Sequence, residues 1–512
     1  MTLISSKNFQ KKQLQVSEKE LDETYINRPE NRKILMRLFW SLLATILGLA
    51  CITAKTSNLE DIALFLTLLF TTLVPSYLWC KGKVYGLPIL PVFSFSYILT
   101  YAMPLIGHEE ILNTYTSAER LFAGSTTIGF LWIITATWYK FAKRVRTKPS
   151  AVFMIDGSRA DDIFLFFLFI STIFSMSLAG DWFSINATQF FSLIRGIVFG
   201  LTTISAFALG FRHGERKLSS SKTLFLQFLV VTYCVSNATS LLLVMPMTFL
   251  VIIGIGFVMG RKKIPFISLL LAILIIVPLH YGKGEMRAKY FATGINVQPW
   301  EYPAYYTEWF GKNFENKPFT YFSRREDELS DLVGVYGVEA PDNKQRLSDR
   351  ASLLQQLLLT QIRSPDIQPF LEGVTYLWIP QLLIPRLFLD SKISAHYATS
   401  ILNIYYGRQR LQDTFSTTIG WGLLSEAYAN FGLIGCVVLA IILGYVFGNI
   451  SAWSHYAPLL SARYLISVLI LIYAFNDSVA SVFVSSLFQS LISLLILNFF
   501  VMEKRQIINH KN

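Results

Sequence analysis

Apolar residues gather along this chain into runs of about 20, the length a helix needs to cross a bilayer, separated by short polar segments. The runs are 34–54, 59–79, 86–106, 119–141, 162–180, 189–211, 223–241, 243–260, 264–280, 428–449, 459–476 and 480–501. The pattern predicts about twelve spanning helices in an all-α polytopic membrane protein. Two divisions are a matter of reading: 223–260 is split at Ser236-Asn237-Ala238-Thr239-Ser240 and 459–501 near Asn476-Asp477. Leaving both undivided still gives an even number of spans, so both tails stay on one side. The polar stretch 1–33 carries no apolar segment placed for a cleavable signal and reads as a tail.

Composition agrees with this pattern. Hydrophobic residues make up 53% of the 512 positions and charged residues 15%, against about 25% charged in ordinary soluble domains. A soluble enzyme, a disordered chain and a fibrous protein are excluded. The 45 basic and 33 acidic residues leave a net charge of +12. The excess sits in short loops, as in Lys140/Lys143/Arg144/Arg146/Lys148, Arg212/Arg216/Lys217 and Arg261/Lys262/Lys263. That is a topology signal and not a nucleic-acid footprint. With residues 1–33 inside, every basic loop and the tail Lys504/Arg505 are inside as well. The alternate loops are poor in Lys and Arg. Cys51, Cys80, Cys234 and Cys436 are scattered through apolar runs and suggest neither a disulfide framework nor a metal site.

One segment breaks the rhythm. Residues 281–427 lie on the outer face between two spans, with balanced charge and many aromatics, Trp300, Trp309 and Trp378 among them. So long a stretch in a compact protein is expected to fold and to carry function. Within it, 349–363 reads as an amphipathic helix with Leu353, Leu354, Leu357, Leu358 and Ile362 on one face, Asp349 as cap and Pro365 as stop. Residues 373–389, broken by Pro380 and Pro385, read as a re-entrant or interfacial segment, and 393–406 as a short interfacial helix.

No Gly-rich nucleotide loop, zinc-protease motif, serine-hydrolase elbow or DxD pair is present. His108, His280 and His396 each stand alone, without a second ligand at metal spacing. No metal or cofactor is expected. The loop instead offers cations near lipid: Lys283, Arg287, Arg386, Lys392, Arg408 and Arg410. A poorly hydrated Arg can hold a phosphate through two parallel hydrogen bonds. The plainer alternative is that these side chains snorkel to lipid phosphates. Glu426, at the mouth of span ten, is costly there unless it faces a wet or paired site. It could accept a proton from an attacking hydroxyl or pair with a loop arginine. Asp477 reads as marking a turn.

The run Thr375-Tyr376-Leu377-Trp378-Ile379-Pro380, then Ile384-Pro385-Arg386 and Asp390-Ser391-Lys392, precedes Gly422, Glu426-Ala427-Tyr428-Ala429-Asn430-Phe431-Gly432 and Gly435. With many spans and one large loop before the last few, this resembles the O-antigen polymerase family, the repeat-unit polymerases of bacterial surface polysaccharides. The string Lys283-Gly284-Glu285-Met286-Arg287 is similar to a basic element of exopolysaccharide members. The resemblance implies a glycosyltransferase C-like fold in the bacterial inner membrane, with both tails cytoplasmic. It divides the chain into a tail (1–33), nine spans (34–280), a periplasmic loop (281–427), three spans (428–501) and a tail (502–512).

The implied activity moves a growing glycan from an undecaprenyl diphosphate carrier onto a newly flipped repeat unit, without metal. A flippase and a chain-length regulator are the implied partners. Arg386 and Glu426 would be catalytic. Tyr376, Lys283, Arg287, Lys392, Arg408 and Arg410 would bind diphosphate or glycan. Related ligases place a His about ten residues before the glycine pair, where this chain reads Gly420-Trp421-Gly422. That departure favours polymerase over ligase. A flippase and a non-enzymatic export subunit are the competing classes.

Overall fold

The computed structural model describes residues 15–16, 29–54, 56, 58–107, 112–144, 151–182, 189–241, 243–261, 265–286, 289–290, 296–315, 352–384, 389, 393–412, 414 and 419–507. Each apolar run appears as a helix: α1 Pro29–Thr53, α2 Leu59–Cys80, α3 Ile89–Ile106, α4 Ser117–Ala142, α5 Gly157–Ala179, α6 Gln189–Gly214, α7 Ser220–Ala238, α8 Val244–Arg261 and α9 Phe266–Met286. Shorter pieces follow, α10 Tyr302–Glu315, α11 Leu354–Arg363, α12 Val374–Leu377, α13 Ile379–Leu383 and α14 Tyr397–Tyr405. Three more close the chain: α15 Leu423–Ser454, α16 Ala462–Phe475 and α17 Ala480–Phe500.

Among the described residues nine helices are long and apolar enough to cross a membrane: α1 to α6, α8, α15 and α17. Helices α7, α9 and α16 stand where three further runs were expected but are shorter or less apolar. The outward faces agree with lipid as solvent. Trp40, Ile52, Phe70, Phe166, Ile434 and Phe499 are all exposed, a load of apolar surface that water does not tolerate. The chain is a mostly helical polytopic membrane protein.

Local chemistry sets several helix ends. Asn58 accepts from the Glu60 N–H at the start of α2 (3.0 Å). Thr116 and Glu119 cap α4 reciprocally. Inside the bundle, α6 and α8 meet through Gly210/Gly214 and Gly256/Gly260, where an added Cβ would lie 2.3–2.5 Å from a backbone carbonyl of the facing helix. Small residues four apart let two membrane helices approach closely. Bidentate pairs, the first buried and the second partly so, clamp both ends of the bundle. Arg120 grips Asp61 (2.9 and 3.0 Å) at one end, and Arg212 grips Asp161 (2.7 and 2.9 Å) at the other.

The all-α expectation needs one addition. A small sheet of order β1-β3-β2 joins Gln15–Val16, Glu503–Ile507 and Ala151–Met154. Strand β1 runs parallel to β3, and β2 antiparallel. Met154 also bridges Ser461, and Ile155 N–H donates to the Leu460 carbonyl (3.1 Å). Both tails, the α4–α5 loop and the α15–α16 loop therefore meet on one face. Strands this short carry too little alternation to be read from sequence.

On the opposite face α10 packs over the ends of α7 and α9. Tyr306 and Tyr305 donate to the carbonyls of Val235 (2.7 Å) and Thr239 (3.2 Å), and Trp309 is fully buried beside Gly282. The amphipathic helix expected at 349–363 is α11, but it is enclosed on nearly all sides. Leu354, Gln355, Gln356, Leu357, Leu358 and Thr360 are buried, and the helix packs between α4 and α15. Asp349 lies outside the described residues.

Candidate functional site

Helix α15 is broken close to its start. Phe431 (φ −141°, ψ 17°) and Gly432 (φ 60°, ψ −147°) leave helical geometry, so Leu423–Asn430 forms a separate half-helix. The break strips two carbonyls of their intrahelical donors, and in a dry interior each must find another. The segment 370–376 supplies them. Leu371 N–H donates to Ala429 (3.0 Å) and Glu372 N–H to Asn430 (3.1 Å).

Asn430 completes the graft. Its Oδ1 accepts from Gly373 N–H (3.0 Å), and its Nδ2 donates to Thr375 Oγ1 and to the Glu426 carbonyl (2.8 Å each). The rings cross over: Phe370 lies against Gly432, and Phe431 lies against Gly373. Tyr376 stacks on Phe431 with ring centres 6.3 Å apart. The segment expected as re-entrant or interfacial over 373–389 is described through Ile384, as the short helices α12 and α13, with α13 resting on α17.

Helix α14 and the turn after it form the other wall. Asn403 Oδ1 accepts from Trp421 Nε1 (2.7 Å), and its Nδ2 donates to the Ile419 carbonyl (3.1 Å). Tyr405 donates to the Pro369 carbonyl (2.7 Å), while the Tyr406 hydroxyl meets Ser364 Oγ (2.9 Å). Trp421 and Tyr406 lie together in a small buried cluster with Leu371, Leu402, Ala429 and Val479. The following turn carries two of the expected cations. Arg408 is half-buried and donates to Gln355 Oε1 (3.2 Å); Arg410 is exposed.

A third arginine joins them that sequence reasoning passed over. Arg363, the last residue of α11, donates to the Tyr406 carbonyl (2.6 Å), with its guanidinium against Gly407. The available signal was a basic residue closing an apolar helix just before Pro365. Arg363 thus reaches the turn at Tyr406 and Gly407, on which Arg408 and Arg410 also stand, and guanidinium groups suit an anion with several oxygens.

The other expected site residues fall as follows. Tyr376 and Glu426 belong to the α15 break. Lys283 is half-buried near the end of α9, in the separate aromatic cluster around Trp309. Arg287, Arg386 and Lys392 lie outside the described residues. His396 precedes α14 and is exposed.

Glu426 is placed as a helix cap. It has no exposed surface, and its Oε2 accepts from the Ala480 N–H (2.6 Å) at the start of α17. Among the described residues it meets no arginine, and it fills the capping position of a neighbouring helix. Asp477, expected to mark a turn, does so and also accepts from the Leu423 N–H (3.0 Å) at the start of α15. Among the described residues no group of three or more His, Cys, Asp or Glu could hold a metal. Comparison with family models, curated proteins and solved structures finds no match.

Proposed function

We propose that the chain is a metal-independent glycosyltransferase that joins lipid-linked oligosaccharide repeat units, as the resemblance to O-antigen polymerases implies. The observation that supports this reading is that Arg363 holds the turn carrying Arg408 and Arg410 beside a broken membrane helix. In the reaction the bond between the donor sugar's anomeric carbon and the carrier's phosphate oxygen breaks. The acceptor hydroxyl bonds to that carbon, its proton passes to solvent or a base, and the diphosphate leaves with the electron pair. Arginines stabilise the charge that develops on the leaving group, which is where a preorganised site contributes most. Arg386 would join them on the strength of the resemblance. Tyr376 and the aromatic wall would support sugar rings. Glu426, closed away as a helix cap, acts by positioning the half-helix rather than by taking the proton.

The finer topology of this reading is twelve spans with both tails cytoplasmic. Strands β1, β2 and β3 belong to one sheet, so the crossings between any two of them must be even in number. Nine spans would put five between β2 and β3. Adding α16 restores parity. In this reading α7 and α9 cross as well, which is supported for α7 by α10 at its end near Val235 and the Lys222–Asp162 pair (2.6 Å) at its start, and for α9 by α10 near Gly282. The sheet face holds Lys143, Arg144, Lys217, Lys504 and Arg505, which supports a cytoplasmic assignment. Residues 287–422 then face the periplasm.

The test is reconstitution. Purified protein given only undecaprenyl-diphosphate-linked repeat units, with chelator present, should yield a ladder of longer lipid-linked products without nucleotide sugar or ATP. A second reading, a flippase for the same lipid, is favoured by one observation: carboxylates enclosed at a broken helix mark transport pathways in many membrane proteins. Movement of repeats across liposomes with no ladder would make that reading the correct one.

A further inference from the structure

Between the middle of α3 and the paired starts of α15 and α17, five oxygens are enclosed and face one another, Tyr97 towards Asp477 and Tyr101 towards Ser425, and among the described residues none meets a partner in full hydrogen-bond geometry. They are the Tyr97 and Tyr101 hydroxyls, Ser425 Oγ, Glu426 Oε1 and Asp477 Oδ2. Tyr97, Tyr101, Ser425 and Glu426 have no exposed surface at all. Both tyrosines lie within electrostatic reach of Asp477, and Asp477 within reach of Glu426. Tyr97 precedes and Tyr101 lies within a π turn over Ile98–Ala102, a widened turn that proteins often place at functional sites. There the Thr100 carbonyl accepts from Leu353 N–H (2.9 Å).

Among the described residues the charge here is unbalanced. The groups that act on the two carboxyls are Tyr97 and Tyr101 from α3, Thr375 and Tyr376 from α12, and the N–H groups of Leu423 and Ala480. Cys436 of α15 acts on the same tyrosines. None is a cation. Each carboxylate spends one oxygen on a helix N-terminus and keeps the other for the chamber. Two negative groups this close in a dry interior need a positive charge between them. Hydroxyls and single carboxylate oxygens are the donor set of a hard cation, not of zinc or copper.

We propose that this chamber binds one hard metal cation, sodium in the first instance, between Glu426 Oε1 and Asp477 Oδ2, with the hydroxyls of Tyr97, Tyr101 and Ser425 completing the shell. Sodium is favoured because only one oxygen per carboxylate is free, too few charged ligands to strip the tighter water shell of a divalent ion. The ion would tie α3 to the half-helix of α15 and to α17. The inference stands apart from the transfer reaction, since the site is defined by these five oxygens alone.

The test is thermal unfolding of the purified full chain in neutral detergent at pH 8. Sodium chloride replaces choline chloride at constant ionic strength, with parallel arms in potassium and in calcium. Sodium should raise Tm saturably, more than potassium does. Glu426→Gln and Asp477→Asn keep an oxygen for each helix cap and should abolish the dependence. Should either fail to fold, Tyr101→Phe decides. It leaves both carboxylates in place and should shift the sodium midpoint upward about 5-fold, the worth of one neutral ligand. A Tm indifferent to every metal ion, or raised only by lowering pH, would overturn the proposal and leave a proton as the charge between the carboxyls. A larger saturable rise with calcium would overturn the choice of sodium.

Discussion

Glu426 and Asp477 cap each other's helices: the carboxylate in the first turn of α15 accepts from Ala480 N–H at the start of α17 (2.6 Å), and the carboxylate just before α17 accepts from Leu423 N–H at the start of α15 (3.0 Å). Each negative group thus sits at a helix N-terminus, where the dipole and an orphan N–H favour it. Truncating either to Ala should cost about 1–3 kcal/mol, the penalty of an enclosed donor left unpaired. Because the caps share one junction, the double Ala variant should cost less than the sum by about 0.5–3 kcal/mol. Thermal unfolding of the three variants in detergent measures this, and strict additivity would separate the two caps.

Gly432 is the hinge of the broken helix. Its φ of 60° with ψ of −147° is a conformation a Cβ makes costly, and an added Cβ would lie 2.9 Å from the Phe370 ring. Gly432→Ala should therefore lose about 1–3 kcal/mol or more. Its damage should be partly relieved by Phe370→Leu, read as folded yield and Tm. No relief would mean that backbone strain alone sets the cost.

The hinge also marks the limit of what the sequence discloses. The apolar runs and the interruption of 373–384 into short helices were legible because lipid demands long apolar helices and prolines interrupt them. The break at Phe431–Gly432 was not, since the run from Tyr428 onward is apolar on both sides of it. Nor was the pairing of Asn430 with Gly373 and Thr375, or of Asn403 with Trp421, because a polar residue's partner is set by tertiary placement and not by spacing. Glu426 was recognised as an expensive residue, yet its price is met by Ala480, 54 positions away. Arg363 was missed because α11, read as amphipathic, hid its one basic residue at the end.

For the arginine turn the expectation follows from geometry. Arg363→Ala should slow repeat-unit joining by about 30-fold to 10³-fold, the usual worth of one charged contact in a dry site. Arg363→Lys should recover only part of it, because Lys cannot present a planar fork. Arg386→Ala should behave alike if that residue shares the diphosphate. The measurement is ladder length per unit time at matched protein level, and an unchanged ladder in Arg363→Ala would remove it from the site.

Outside the bundle, Glu308 offers a pH effect with a definite sign. It accepts from Lys289 Nζ (2.7 Å) and the Tyr290 hydroxyl (2.8 Å), and the Lys289 contact holds its carboxyl below the ordinary 4.5. A depressed carboxyl stabilises fully above its unfolded value and loses that contribution as pH falls through the folded one. The Tm of wild type should therefore exceed that of Glu308→Gln above pH 4.5 and converge with it in more acid solution. The gap should be small, since solvent screens an exposed pair. A gap that widens on acidification would contradict the assignment.

The sheet makes the sharpest test of topology. Strands β2 and β3 share hydrogen bonds through Val152 and Arg505, so Lys143 and Lys504, both exposed, must face one compartment. On the twelve-span reading exposed Glu372 faces the other, since it is bonded to the Asn430 end of the half-helix and crossings by α15, α16 and α17 intervene before Lys504. Cys51 is exposed and would react by itself, while Cys80 and Cys436 are buried. Single cysteines at 143, 372 and 504 are therefore placed in a Cys51→Ser, Cys234→Ser background. In intact spheroplasts an impermeant maleimide should label Glu372→Cys alone, and permeabilised cells should label all three. Labelling of Lys504→Cys together with Glu372→Cys would mean that α16 does not cross. The strand pairing could not then hold in the membrane, and the periplasmic placement of the arginine turn would fall with it.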